Sequence, residues 1–170
     1  MMRTFAPLLL TLAFALPAWA DPRWEGQTAA FFGVTFIDTS TEGEINGVRE
    51  DETARVAMIE DYIAEALEAG GLTLVDLAPV QEELDRTMNP AKCNGCDVRM
   101  ARELGARYSI VSEVQKVSNL ILAINIYVRD ADDGGQVAGQ AVDIRGNTDD
   151  SWQRGARYVL TRNIFADQGE

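Results

Sequence analysis

Apolar and polar residues alternate most strictly over Leu120–Arg129. Leu120, Leu122, Ile124, Ile126 and Val128 fall on one face, and Asn125, Tyr127 and Arg129 on the other. A period of two predicts a strand whose apolar face is covered by helices. Upstream, Arg107–Val117 predicts a strand that reverses tightly near Ser118-Asn119 into the first. Thr28–Asp38 (TAAFFGVTFID) is apolar on both faces, with Phe32, Val34 and Phe36 on one and Phe31 and Ile37 on the other, which predicts a central strand. Asp51–Ala69 carries Val56, Ile59, Ile63, Ala66 and Leu67 at helical spacing and stops at Gly70-Gly71, as an amphipathic helix does. Glu50, Asp51 and Glu52 suit the positive end of its dipole.

The remaining elements follow from punctuation. Thr39–Arg49 is polar, contains two glycines and predicts a loop. Leu72–Leu77 predicts a short strand, and Pro79 begins a helix over Pro79–Thr87. Asp97–Leu104 predicts a helix ended by Gly105. Asp132-Asp133-Gly134-Gly135 is a turn, and Gln136–Arg145 is a weaker strand near an edge. Thr148, Asp149 and Asp150 open a last helix whose face is Trp152, Ala156, Val159, Leu160 and Ile164. The order β-α-β-α-β-β-β-α predicts an α/β (α+β) sandwich: five strands in a mixed sheet packed with three or four helices, as one domain with its core over about 28–165.

Residues 1–20 read as a secretion signal rather than as structure. Arg3 precedes an apolar run from Thr4 to Leu16, then Pro17, then the small-x-small pattern Ala18-Trp19-Ala20. Cleavage after Ala20 is expected to leave a single periplasmic αβ domain, 21–170. Asp21 stands where lipid attachment needs cysteine, so no stable membrane anchor is expected. Lys and Arg number 15 against 27 Asp and Glu, a net charge of −12. That balance opposes nucleic-acid binding, which depends on neutralising phosphates, and suits a solvated exported surface. The chain has no histidine, which removes Ser-His-Asp, Cys-His and histidine-based zinc chemistry.

Cys93 and Cys96 are the only cysteines. In an oxidising compartment they are expected to form a disulfide, with Asn94-Gly95 supplying the tight turn. A redox-active pair activated by the helix at Asp97 is the sharper alternative, and half of a zinc site is the third. The acidic pairs Glu42/Glu44, Glu82/Glu83, Asp132/Asp133 and Asp149/Asp150 have simpler uses in solvation, helix termini and turns than in acid–base catalysis. Asp130–Gly135 does not match a calcium loop. No catalytic residue, cofactor site or metal site is assigned. Gln115, Lys116, Ser118 and Asn119 crown one reversal, and Arg145, Asn147 and Trp152 lie at the junction into the last helix. Together with Tyr127 they form a candidate recognition patch at the end of the sheet, extended by Asn125 and Arg129.

The element order, and the helix-LGA-strand junction at Ala101–Val111, resemble the N-terminal domain of TolB and the CsgG-like periplasmic domains. That resemblance implies a small αβ fold acting in envelope assembly through protein contacts. The stretches CNGCDVRMARELGA, EVQKVSNLILAINIYVRD and DIRGNTDDSW resemble a family of uncharacterised exported bacterial proteins of unknown function. This second resemblance places some members beside alcohol-oxidising quinoprotein systems. The resulting expectation is a soluble, periplasmic, non-enzymatic accessory protein that binds an envelope or periplasmic respiratory partner. A thiol–disulfide oxidoreductase using Cys93 and Cys96 is the alternative, and a small-ligand carrier the second.

Overall fold

The computed structural model describes residues 23–166. The predicted secretion signal and its cleavage site lie outside them. The α/β architecture expected from the periodicity is present. Five strands, β1 (Thr28–Asp38), β2 (Thr73–Leu74), β3 (Tyr108–Ser118), β4 (Ile121–Asp130) and β5 (Gln136–Ile144), form one mixed sheet in the order β2-β1-β3-β4-β5. β1 runs parallel to both β2 and β3, and β3-β4-β5 is an antiparallel meander. The glycine-containing β5 is indeed an edge. Five α-helices occur among the described residues: α1 (Thr41–Asn46), α2 (Glu50–Ala69), α3 (Gln81–Arg86), α4 (Cys96–Glu103) and α5 (Asp149–Val159). Thr148 caps α5 with its side chain, and a single π-helical turn, Leu160–Ile164, continues it.

Alternation along β4 divides the molecule into two layers. Leu122, Ile124, Ile126 and Val128 are fully buried under α2 and α5, with Ile59, Ile63, Leu67, Trp152 and Val159. The opposite face carries a smaller cluster of Ala30, Phe32, Val111, Met100 and Ala101 beneath α4, with Tyr127 packed against it. α2, α4 and α5 thus each lay an apolar stripe on one face of the sheet, whereas α1 and α3 have no buried residue.

Four expectations are corrected. Phe31, not Phe32, shares the large core with Val34 and Phe36. A β-bulge between Phe31 and Val34 shifts the register against β3. Gly33 takes φ 75° there, a conformation open to glycine at little cost. The amide freed by the bulge, on Val34, donates to Glu60 on α2 at 2.9 Å. Thr39–Arg49 is not all loop, because Ser40 accepts from the Gly43 amide at 3.0 Å and caps α1. That short helix takes the number of α-helices past the three or four expected. Leu120 is not on the core face: β4 begins at Ile121, and Leu120 sits in the turn, 73% exposed. The second strand shrinks to two paired residues, since only Thr73 and Leu74 reach β1.

Cys93 and Cys96 are joined, with their Cα atoms 5.5 Å apart, and the bond closes the turn that launches α4. Asn94, the residue with positive φ other than glycine, lies inside this ring. So small a loop removes little chain entropy from the unfolded state. Replacing both cysteines by serine is expected to cost only about 2 kcal/mol. Urea unfolding of the oxidised protein and of the double variant checks this, and intact mass with and without alkylation checks the bond.

Candidate functional site

Period two along β3 places Ile110, Ser112, Val114 and Lys116 on the face covered by α2. Ile110 and Val114 are ordinary occupants, and Ser112 is buried with its hydroxyl unpartnered. The fourth is a lysine with no exposed side-chain surface. Its ammonium lies 2.6 Å from Glu52 at the start of α2, 3.1 Å from Asp38 at the end of β1, and 3.3 Å from Glu42 on α1. Three consecutive elements, β1, α1 and α2, are therefore tied to one cation distant from them in sequence. Thr39 reinforces the join, its amide and hydroxyl both donating to the Lys116 carbonyl at 2.8 and 3.0 Å.

The network continues across the β5–α5 loop. Asn147 donates from Nδ2 to Glu52 at 2.7 Å and to Asn119 at 3.3 Å. Its Oδ1 accepts from Arg55 and from the Trp152 indole, each at 3.0 Å. Arg55 stacks over the Trp152 ring, 5.7 Å from its centroid, and pairs with Asp149 at 2.8 Å. Asn119 donates to Glu42 at 2.5 Å. Of the predicted patch, Lys116, Asn119, Asn147 and Trp152 are brought together. Lys116 and Trp152 are fully buried, Asn119 is exposed, and Arg145 stands exposed beside them. Gln115 and Tyr127 lie half-buried on the opposite face of the sheet.

Asp38, Glu42, Glu52 and Arg55 were not anticipated. The signal lay in register. Arg55 and Glu52 extend the stripe of Ile59 and Ile63 by one and two helical turns, and Lys116 extends that of Ile110 and Val114 by one strand repeat. Opposite charges that continue the apolar stripes of two packed elements are candidates for a buried pair, since such groups are fully buried only when paired.

The electrostatics are coherent. Burial opposes ionisation of Lys116, but hydrogen bonds to Glu52 and Asp38 outweigh it and raise its pKa above the usual 10.5. Burial likewise works against the Asp38 carboxylate, yet bonds from Ser40 and Lys116 hold its pKa below 3.8. Glu42 is lowered below 4.5 by Lys116 and Asn119 against its own desolvation. The signs fix a pH profile. Asp38 and Glu42 contribute stability that is complete above 3.8 and 4.5 and lost as pH falls through their depressed values. Lys116 contributes stability that is complete below 10.5 and lost as pH rises through its elevated value. Chemical denaturation of the wild type is therefore expected to show a plateau flanked by acid and alkaline losses. The alkaline loss should vanish in a Lys116→Met variant.

A second buried charge lies on the other face. Asp97, in the first turn of α4, has no exposed surface and accepts from Arg129 at 2.6 Å and Ser109 at 2.8 Å. Glu113, also buried, takes Asn89 at 2.7 Å and Lys92 at 3.1 Å. The disulfide holds the turn from which Asp97 projects. Among the described residues no group of three or more His, Cys, Asp or Glu is placed to hold a metal ion, and no helix is long and apolar enough to cross a membrane.

The same end of the sheet carries exposed apolar surface. Val117, Leu120 and Ile121 surround the β3–β4 turn, and Ile45 and Val48 lie on and just after α1. They are five of the eight large apolar residues that stand exposed among the described ones.

A family model described as "Protein of unknown function (DUF2380)" matches residues 27–164. The chain belongs to this DUF2380 family. The stretches around Cys93, Leu120 and Asn147 that implied a family of unknown function fall inside the match. No curated protein matches the chain. Among solved structures, the LpoB C-terminal domain from Salmonella enterica is similar at 18% identity and TM-score 0.50, over 74% of this chain and 87% of that one. A PelC dodecamer from Paraburkholderia phytofirmans aligns at 16% identity and TM-score 0.49, over 91% and 96%. Lipoprotein GNA1162 from Neisseria meningitidis aligns at 15% and 0.45, over 71% and 81%. At these identities the DUF2380 chain shares a fold with the LpoB domain.

Proposed function

We propose that this DUF2380 protein is an exported, non-enzymatic accessory module of the bacterial envelope that works in the periplasm by binding a protein partner. The observation that carries the reading is the concentration of exposed Val117, Leu120, Ile121, Ile45 and Val48 at one end of the sheet, over a base locked by the Lys116 network. Clustered exposed apolar side chains mark interaction sites, and a rigid base lowers the entropy cost of using them. Asn119 and Arg145 give the rim polar contacts. The secretion pattern of residues 1–20 and the Cys93–Cys96 bond agree with an oxidising compartment. The candidate partners are envelope proteins and periplasmic respiratory components.

The test is crosslinking and recovery of the mature protein from periplasm, with Leu120→Asp and Arg145→Glu beside Val137→Asp at the opposite end of β5. Wild type and Val137→Asp should recover the same partner, and Leu120→Asp should lose it by roughly tenfold or more with the melting temperature unchanged. A partner kept by Leu120→Asp, or turnover of a defined substrate by purified protein, contradicts the reading.

A thiol–disulfide role is the second reading. It is favoured by the Cys96 amide, which donates to the Cys93 sulfur at 3.1 Å where α4 begins, an arrangement that stabilises a thiolate. The neighbouring Asp97 carboxylate works against that thiolate. A reduction potential near that of a strong oxidant, with oxidative-folding activity, would establish it.

A further inference from the structure

Beside the apolar rim, between the end of β1 and α1, lies an open cleft of about 580 Å³ whose walls include Phe36, Asp38, Ser40, Gly43, Val48 and Glu52. Its size suits a side chain or small group, and three features describe what fits. The first is charge. Asp38, Glu44 and Glu52 line the cleft, while Lys116 is already shared by Asp38, Glu42 and Glu52, and Arg49 by Glu42 and Asp51. Carboxylates outnumber local cations. The second is Glu52 itself. It is 1% exposed, and its Oε1 takes both Lys116 and Asn147, yet its Oε2 has no hydrogen-bond partner. A buried carboxylate oxygen without a donor is costly, and a donor arriving there recovers that cost. The third is the wall. Phe36 and the 90% exposed Val48 are apolar. A Cβ on Gly43 would come within 2.3 Å of Asp38, so the absent side chain keeps α1 close without filling the space.

We propose that the cleft receives a lysine or arginine side chain of the partner protein, its cationic head on Glu52 Oε2 and its methylene stem along Phe36 and Val48. Long basic side chains bury their stems in this way. The inference rests on the reading that a partner docks at this end, and adds that the docking segment is basic as well as apolar. The chain's net charge of −12 favours encounter with such a segment.

The test uses capped heptapeptides of serine and leucine that differ only at the central position: lysine, arginine, norleucine or glutamate. Each is titrated into isotope-labelled mature protein and followed by backbone amide shifts, with spermidine and butylamine alone as further arms. The lysine and arginine peptides should move the amides of Gly43, Gly47 and Glu52 and bind roughly tenfold tighter than the norleucine peptide, with salt weakening the difference. Glu52→Gln should abolish the preference. Glu44→Gln and Val48→Arg, at exposed positions that leave folding intact, should reduce it, Val48→Arg by supplying a competing cation. Equal binding of lysine and norleucine peptides, shifts elsewhere on the molecule, or no peptide binding overturns the proposal. So does spermidine binding as tightly as the peptides, which makes the cleft a free-polyamine site. The two readings fail separately. Partner capture lost in Leu120→Asp without lysine preference sinks only the cleft, whereas lysine-selective shifts without any partner at Leu120 sink the docking surface.

Discussion

Lys116→Met should lower the stability of this protein by about 3–5 kcal/mol, the cost of removing one partner from a buried ion pair. For a chain of this length that corresponds to a fall in melting temperature of roughly 6–20 °C. The methionine fills most of the volume, so lost packing contributes little. The cost arises because Glu52, 1% exposed, keeps a charge with no cation on it. Asp38 and Glu42 lose the same cation, but they are only partly buried and recover water. The double variant Lys116→Met/Glu52→Gln separates these contributions. Glutamine retains an acceptor for Asn147 and removes the stranded charge, so more than half of the lost stability should return. A double variant no more stable than Lys116→Met would mean that the lysine acts through packing. Thermal and urea unfolding, monitored together, decide between these outcomes.

Arg129→Leu is expected to be comparably damaging on the opposite face. Asp97 has no exposed surface, and Arg129 is the cation that reaches it, at 2.6 Å. Ser109 supplies one further donor and Asp97 Oδ1 has none. Removing the guanidinium therefore leaves a carboxylate short of donors in a fully buried position, again about 3–5 kcal/mol. It also removes the bond from Arg129 to the Ala91 carbonyl at 3.3 Å, so the turn held by the disulfide loosens toward the sheet. Adding Asp97→Leu should restore much of the loss, because a neutral pair of similar volume carries no desolvation cost. Urea unfolding of the single and double variants measures the coupling. If Arg129→Leu costs less than about 1 kcal/mol, the pair behaves as a surface contact and the buried assignment is wrong.

The architecture was legible wherever apolar period and burial coincide. β4 and α5 are the clearest cases: Leu122 to Val128 and Trp152 to Ile164 read directly from spacing and are buried as read. Legibility failed where long-range contacts decide local structure. The bulge at Gly33 depends on Glu60, 26 residues from Val34. α1 has six residues and no buried side chain. Its stability comes from the Ser40 cap and from Glu42 reaching Lys116, Arg49 and Asn119. The Ser40 cap is local, but the contacts from Glu42 to Lys116 and Asn119 span more than 70 residues and leave no local pattern. Leu120 was read as one step of the β4 alternation because nothing in a run of apolar residues says where the strand begins. The candidate patch was half legible. Turn residues drew attention to the end of the sheet that carries the buried Lys116 network and the exposed apolar rim, but lysine and tryptophan in that setting read as surface recognition groups. Strand register in β3 and helix register in α2 show them instead as the buried base beneath the surface that is proposed to bind.

The most direct test of that account replaces Leu120 with a photo-crosslinking amino acid in the full chain produced in its own host, beside the same replacement at Tyr158 on α5 and Met88 after α3. All three side chains are exposed, so none should disturb folding. Irradiation is predicted to give one reproducible protein adduct from position 120, absent from positions 88 and 158 and diminished by Val117→Asp. No adduct at position 120, or the same adduct from all three positions, would contradict the claim that this end of the sheet is the docking surface.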